Sequence, residues 1–283
     1  MHHEESLYDQ NDYYADDARA SRLTPLLNPL LRFLDHRKAR SLMRRYGRKG
    51  GSVLDVGAGD GKFLAGMRRA GMIPTGTSAS RRSCEASAAL YGIPLQHRQD
   101  LPPAPTGGFD LITYWHVFEH LEDPPSHIRA WRKRLRPGGR LIIEVPDPAS
   151  YGARLCYRSW LGSDPVHHIN MVSTPELEKA VRDAGLQTVA REHFSLKFSY
   201  VFLWSAFLGR IFPRQRDFDK VLDLIKSPLA RLRSDPAGTL NAWLAVFYLA
   251  PVILPVMLAG VIRGRGEVIR LVAIRPGDSD PSF

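Results

Sequence analysis

Two short stretches and one loop hold the side chains that could do chemistry. Val53 to Leu64 reads V-L-D-V-G-A-G-D-G-K-F-L: an apolar strand, glycines at 57, 59 and 61, then a helix opening over Lys62 to Arg69. Such a turn leaves backbone N–H groups pointing at whatever sits above the strand end, an arrangement for binding a nucleotide. The G-x-G-x-G spacing lacks the third glycine position of the dinucleotide fingerprint, and no Lys-Ser/Thr pair follows to make a phosphate loop. Asp55, two residues ahead of Gly57, sets a carboxylate beside the ligand and suits an ammonium group better than a pyrophosphate. The second stretch, His116-Val117-Phe118-Glu119-His120, spaces two histidines i, i+4 around an acid, the H-x-x-E-H pattern of a metal site. No later segment offers an obvious third-ligand motif, so the plainer reading makes Glu119 and His120 helix-opening residues near the pocket. The loop carries Trp160, Asp164, His167, His168 and Asn170. A histidine there could take the proton of a hydroxyl, because its unperturbed pKa lies near neutrality. His168 is the first candidate and His167 the second.

Positioning these groups falls to an alternation of strands and helices. From Leu26 to Tyr46, Leu27, Leu30, Leu31, Leu34, Leu42 and Met43 recur at helical spacing among arginines and lysines, which predicts a basic amphipathic helix packed on a sheet. Met72 to Thr77 reads as a second strand ending in G-T-S-A-S, Arg81 to Tyr91 as a helix, Ile93 to His97 as a third strand and Phe109 to Trp115 as a fourth. Pro137-Gly138-Gly139 is expected to turn the chain into a fifth strand. Thr174 is expected to cap a helix that has Pro175 at its first position. Leu186 to Phe194 and Glu267 to Ile274 read as sixth and seventh strands.

Three of these segments resemble, in order and spacing, the class I S-adenosylmethionine (SAM) dependent methyltransferases. Val53 to Leu64 resembles their motif I. F-D-L-I-T-Y-W-H-V-F-E-H-L-E-D-P, a helix containing Trp131, and L-R-P-G-G-R-L-I-I-E-V-P are similar to the segment from their fourth to their fifth strand. The resemblance covers residues 25 to 195 and the last strand. It implies an α/β, Rossmann-like seven-stranded sheet with helices on both faces, and SAM as cofactor. Carried over residue by residue, Asp55, Gly57, Gly59, Ser78, Asp100, Trp115 and His116 would bind SAM. Ser78 stands where the family usually has an acid that accepts from both ribose hydroxyls, and a serine can bond only one. Ubiquinone-biosynthesis O-methyltransferases carry E-x-x-E-H as a divalent-metal site at the positions of His116, Glu119 and His120; a histidine in first place argues against Mg²⁺, which prefers oxygen. The loop from Trp160 resembles the W-x-x-D-x-P-x-H-x segment of bacterial methyltransferases found with surface-polysaccharide enzymes, which implies a loop over the transferred methyl group.

Composition sets bounds on the rest. Cys84 and Cys156 match no metal or redox spacing and fit a reducing compartment. Residues 1 to 20 are polar and acidic, so no cleavable export signal is expected and the catalytic part should be cytosolic. The net charge is +10, in arginine-rich clusters that suit anionic lipid or nucleic acid. Between strands six and seven lies an apolar helical insertion of roughly seventy residues, far longer than ordinary connections. Phe198 to Phe212 is aromatic and apolar, and Leu240 to Ile262 carries no charge at all. That second run is long enough to span a bilayer, but the chain must return to pair strand seven with strand six on the same side. A re-entrant hairpin broken at Pro251 and Pro255, or helices lying in the interface, is therefore expected, with a buried cap or dimer interface as the competing reading.

The chain then divides into a lead-in over 1–24, a methyltransferase core over 25–195, a membrane-associating insertion over 196–266 and a last strand with its tail over 267–283. The function expected is O-methylation of an amphiphilic, membrane-associated acceptor such as a lipid-linked saccharide, at the cytoplasmic face of the inner membrane. Its rivals are an isoprenoid-quinone O-methyltransferase and a non-catalytic SAM-fold scaffold. Nucleic acid is not expected as a partner, since it leaves the uncharged run unexplained; the oligomeric state stays open.

Overall fold

The computed structural model describes residues 28–97, 102–164, 167–195, 198–212 and 236–277. The lead-in, Asp100 and the middle of the insertion lie outside these residues. A first helix, α1 (Asn28–Tyr46), precedes β1 (Ser52–Val56), α2 (Lys62–Arg69), β2 (Ile73–Ser78), α3 (Arg81–Tyr91) and β3 (Gln96–His97). Then come β4 (Phe109–Trp115), α4 (Pro124–Arg134), β5 (Leu135–Pro146), α5 (Tyr151–Cys156), α6 (Thr174–Asp183) and β6 (Gln187–Glu192). The insertion supplies α7 (Phe198–Ile211) and α8 (Pro236–Ile262) before β7 (Val268–Ile274).

The seven strands lie in the order β3-β2-β1-β4-β5-β7-β6. All neighbours run parallel except β7, which is antiparallel to both β5 and β6. Parallel strands must bury both faces, and the period-two alternation of side chains divides the core accordingly. Leu54, Ile112, Tyr114, Ile143 and Leu271 pack beneath α4 and α6 with Trp131 and Leu177. Val53, Leu111, Ile142 and Val272 pack beneath α1 and α2 with Leu42 and Leu64. Strand order reverses between β1 and β4, so the crevice for a ligand opens at their carboxyl ends, where Gly57 and His116 stand.

Three local expectations need correction. Pro137-Gly138-Gly139 does not precede the fifth strand but forms an irregularity within it: Phe109 pairs with Leu135 and Leu111 with Arg140, and Gly138 absorbs the excess chain at φ 74°. Ser173, not Thr174, caps α6, because its N–H and hydroxyl both donate to the Glu176 carboxylate. Pro251 and Pro255 do not break α8, which continues through both. Each proline removes one hydrogen bond, but they stand i, i+4 apart and both exposed, so the losses fall on one face.

The insertion is built onto the core. Leu203, Trp204 and Leu208 of α7 enclose Ile253 of α8, flanked by Leu249, Val256 and Met257. Phe202 and Ala206 pack with Trp160, Ala153 and Val268. Most of the side chains described in α8 belong to its second half, and among the described residues no helix is long and apolar enough to cross a membrane. Glu267 ties the base of this layer, accepting from Trp160 Nε1 at 2.6 Å, Gly152 N–H at 2.9 Å and the Ser150 hydroxyl at 3.2 Å.

Candidate active site

At the end of β1, Gly57 (φ 73°) and Gly59 (φ 53°) both adopt the left-handed conformation that glycine tolerates. Their surroundings differ. A Cβ on Gly57 would stand 2.4 Å from Val117 Cγ2, so the turn is pressed against the segment after β4. A Cβ on Gly59 would meet no atom within 4 Å, so that glycine faces the open crevice. Thr77 fixes the turn by accepting from Ala58 N–H at 2.7 Å and from Gly57 N–H at 3.4 Å. Ser78, buried at the end of β2, accepts from Ser80 N–H at 3.4 Å and keeps its own hydroxyl hydrogen for a ligand. The glycine that leaves space, the helix N-terminus behind it and the buried serine fit a nucleoside-type cofactor such as SAM.

Asp55 lies beneath the turn. Burial raises its pKa to about 7, with the Thr113 hydroxyl (2.6 Å) and the Lys38 charge pulling the other way. Burial likewise raises Glu267 to about 7, against its three hydrogen bonds. Each acid binds its proton more tightly folded than unfolded, so the stability linked to it is full below the ordinary carboxylate range. That stability is lost as pH rises through about 7. The ligand-free protein should therefore show a falling Tm between pH 5 and 7.5, a slope that Asp55→Asn with Glu267→Gln should flatten; scanning calorimetry checks this.

Trp115 and His116 end β4 on opposite errands. The Trp115 ring lies under Lys38 Nζ at 3.3 Å and Arg270 at 5.5 Å, with the Phe63 ring edge-on at 5.2 Å. This places it between α1, α2 and β7. His116 is the one non-glycine described residue at positive φ (54°), and its N–H donates to the Glu144 carbonyl at 2.9 Å. Its Nδ1 lies 3.4 Å from Glu119 and its Nε2 3.3 Å from Glu144, and its ring stacks on Phe198 of α7 at 3.8 Å. Burial alone would lower the His116 pKa, but the two carboxylates raise it, which favours an imidazolium.

Glu144 anchors a buried charge network. It stands directly across the β5–β7 ladder from Arg270, whose Nε and guanidinium nitrogen meet it at 2.7 and 2.5 Å. Ser195 donates to the other oxygen at 3.1 Å. Burial would raise the Glu144 pKa, yet Lys38, His116 and Arg270 together drive it far below the carboxylate range. Sequence reasoning passed over this pair. The available signal was a single acid in L-I-I-E-V-P facing a single base in V-I-R-L-V-A-I.

Across the crevice, the loop that holds His167 and His168 is stitched to the Phe118–His120 turn. Asn170 N–H donates to the Glu119 carbonyl at 2.9 Å, the Asn170 amide donates to the Leu121 carbonyl, and His120 Nδ1 donates to the His167 carbonyl at 2.9 Å. His167 turns its Nδ1 to Asp164 at 2.9 Å. His168 donates its Nδ1–H to the Gly162 carbonyl at 2.9 Å, which leaves the basic lone pair on Nε2, 3.9 Å from Glu119 Oε1. Burial lowers the His168 pKa and keeps the ring neutral near pH 7.

Glu119 is fully buried; the His116 imidazolium faces it with Nδ1 3.4 Å from Oε1, while neither oxygen makes a well-formed hydrogen bond among the described residues. His116 offsets part of the cost of the buried charge, and the remaining lone pairs can accept a ligand's hydrogen. The set near enough to hold an ion is Glu119, His120 and His168, with one ligand atom from each inside 4.8 Å. His116 is not in this set: its ring lies between Glu119 at 3.4 Å and Glu144 at 3.3 Å and packs on Phe198. Asp100 lies outside the described residues.

Residues 30–191 match the family described as "Methyltransferase domain". A ubiquinone biosynthesis O-methyltransferase of Chromobacterium violaceum is 34% identical over 182 residues, 60% of this chain and 73% of that protein. A protein of the same name from Xanthomonas axonopodis pv. citri is 30% identical over 151 residues, 49% of this chain, which spans 63% of its length. Among solved structures, a SAM-dependent methyltransferase from Mesorhizobium loti superposes with TM-score 0.50 at 17% identity, over 84% of this chain and 96% of that one. The [4+2]-cyclase SpnF does so with TM-score 0.52 at 18% identity, over 90% and 94%. These structures share the fold, while α7 and α8 fall beyond the family-matched region.

Proposed function

The chain belongs to the class I SAM-dependent methyltransferases, and from that premise we propose that it methylates a hydroxyl oxygen of an amphiphilic acceptor bound between Glu119 and His168. The observation that carries this reading is the buried Glu119 carboxylate, held by His116 on one side, with Oε1 3.9 Å from the His168 Nε2. A hydroxyl oxygen about 2.8 Å from Nε2 donates its single hydrogen there, and a second hydroxyl of the acceptor can donate to Glu119 Oε1. When bound, SAM supplies a sulfonium methyl group open to attack by the acceptor oxygen. Asp55, Gly57, Gly59 and Ser78 would hold the cofactor, and His168 Nε2 would take the hydroxyl proton as the methyl group passes from sulfur to oxygen and S-adenosylhomocysteine is left. The Gly162 carbonyl holds His168 Nδ1 and so turns Nε2 towards Glu119, which supports His168 as the base.

The His116, Phe198 and Phe202 rings beside Glu119 support an acceptor that presents a ring. Relatives named for ubiquinone biosynthesis favour a phenolic ring on an isoprenoid tail, so the quinone-type acceptor takes first place. A lipid-linked saccharide is the second reading, favoured by the Trp160 to Asn170 loop. Labelled-methyl transfer from SAM to a prenylated catechol and to a prenyl-linked sugar separates the two. Label in the catechol ether is expected, and transfer to neither would overturn hydroxyl methylation. Activity is expected to survive a chelator; loss restored by added divalent metal would instead assign Glu119, His120 and His168 to an ion.

A further inference from the structure

The face of α8 turned away from α7 has no role in the site described above. We infer that it is a docking surface for an anionic lipid bilayer, on which α8 lies parallel to the membrane plane. Ile253 is fully buried against α7, whereas Leu244, Pro251, Val252, Pro255, Leu258 and Ile262 are exposed. Leu244, Pro251, Pro255, Leu258 and Ile262 recur at spacings of seven, four, three and four along one side of the helix, with exposed Val252 and Leu254 on its flanks. Ile262 is 82% exposed, and from Pro236 to Ile262 no charged residue interrupts the run. Arg263 and Arg265, both exposed, follow at its C-terminal end. An apolar stripe ending in arginines matches acyl chains bordered by anionic headgroups.

A second copy of the chain fits this face less well. A stable protein interface takes roughly 20–30 residues a side with a polar rim, whereas this is one narrow stripe of apolar side chains with cations at its end. A bilayer needs neither shape complementarity nor breadth. The location is also connected to the chemistry. Leu203, Trp204 and Leu208 of α7 hold α8, and Phe198 and Phe202 of the same helix cover His116. The docking face and the wall of the pocket therefore belong to one helix pair. The inference does not depend on which hydroxyl is methylated.

The test is sedimentation of the full chain with phosphatidylglycerol and phosphatidylcholine vesicles, alongside S-adenosylhomocysteine titration as a check on the folded core. The wild type is expected to pellet with phosphatidylglycerol vesicles. Leu258→Glu with Ile262→Glu should cut the partition coefficient by roughly tenfold or more, with cofactor-product affinity unchanged. Arg263→Glu with Arg265→Glu should reduce partition by about fivefold per charge on the anionic vesicles alone. Wild-type protein that stays in the supernatant, or glutamate variants that pellet as well as wild type, would overturn the inference. So would a dimer in sedimentation equilibrium that the Leu258→Glu, Ile262→Glu variant dissolves while neither protein binds vesicles.

Discussion

Replacing Glu144 by alanine is expected to destabilise the protein by about 3–5 kcal/mol, a large fraction of the stability of a domain this size. The carboxylate has no exposed surface and faces three cationic groups, with Arg270 at 2.5 and 2.7 Å, His116 at 3.3 Å and Lys38 at 3.8 Å. Its removal strands the Arg270 guanidinium against an apolar layer, with only Glu192 left at 2.6 Å. The cost arises from the orphaned charge more than from the lost attraction. It follows that Glu144→Leu combined with Arg270→Met should be more stable than Glu144→Ala alone, since buried pairs replaced by apolar groups of similar size are often tolerated. Equilibrium denaturation of the three proteins measures this. A single-variant loss below 1 kcal/mol, or a double variant worse than the single, would show that the network is hydrated in solution.

His168→Ala should lower kcat for methyl transfer by about 10²–10⁴ while leaving S-adenosylhomocysteine affinity unaltered. The imidazole is fixed by the Gly162 carbonyl, and burial depresses its pKa, so the wild-type kcat should climb with pH through a value below the ordinary histidine pKa and then level off. Below that point the ring is protonated and cannot accept. In His168→Ala this limb should vanish from the profile. Glu119→Gln should reduce kcat as well, and the double variant should lose little more than the worse single one, since the two groups hold one acceptor between them. His167→Ala keeps the backbone carbonyl that holds His120 and should cost little by comparison. A His168→Ala enzyme with wild-type kcat and an intact pH limb would remove the imidazole from the reaction.

Much of the frame was legible because local chemistry and tertiary demand agree in it. The helices over Lys62–Arg69 and Arg81–Tyr91 fall where the sequence puts them, and the strand that begins at Phe109 is a short, largely apolar run buried on both faces. Where several residues of similar local preference stand together, only contacts decide. Ser173 and Thr174 are equivalent caps by type, and Glu176 selects the first. Proline marks helix ends in general, yet α8 passes through two because its apolar contacts with α7 and the exposed side on which both prolines sit outweigh the lost bonds. The site was legible as an inventory and not as an arrangement. Glu119 and His168 are separated by 49 residues of chain and meet only because Asn170 and His120 stitch one segment to the other. His116 gives no local hint that it binds Glu144 and a ring of the insertion, because both partners come from later elements.

The position of β7 governs how the protein can be made. This strand leaves the ribosome after the other six strands of the sheet, yet it sits inside that sheet, between β5 and β6. After β6 emerges, residues 193 to 267 must be synthesised before its only partner exists, about 4–15 s at common elongation rates. Through that interval the nascent chain shows an open edge on β5 and an unattached β6, together with Glu144 lacking Arg270. The final seven-residue strand thus closes the sheet and neutralises its buried acid in one event. Release of a chain stalled just short of Val268 should yield aggregate and not a slightly shortened enzyme.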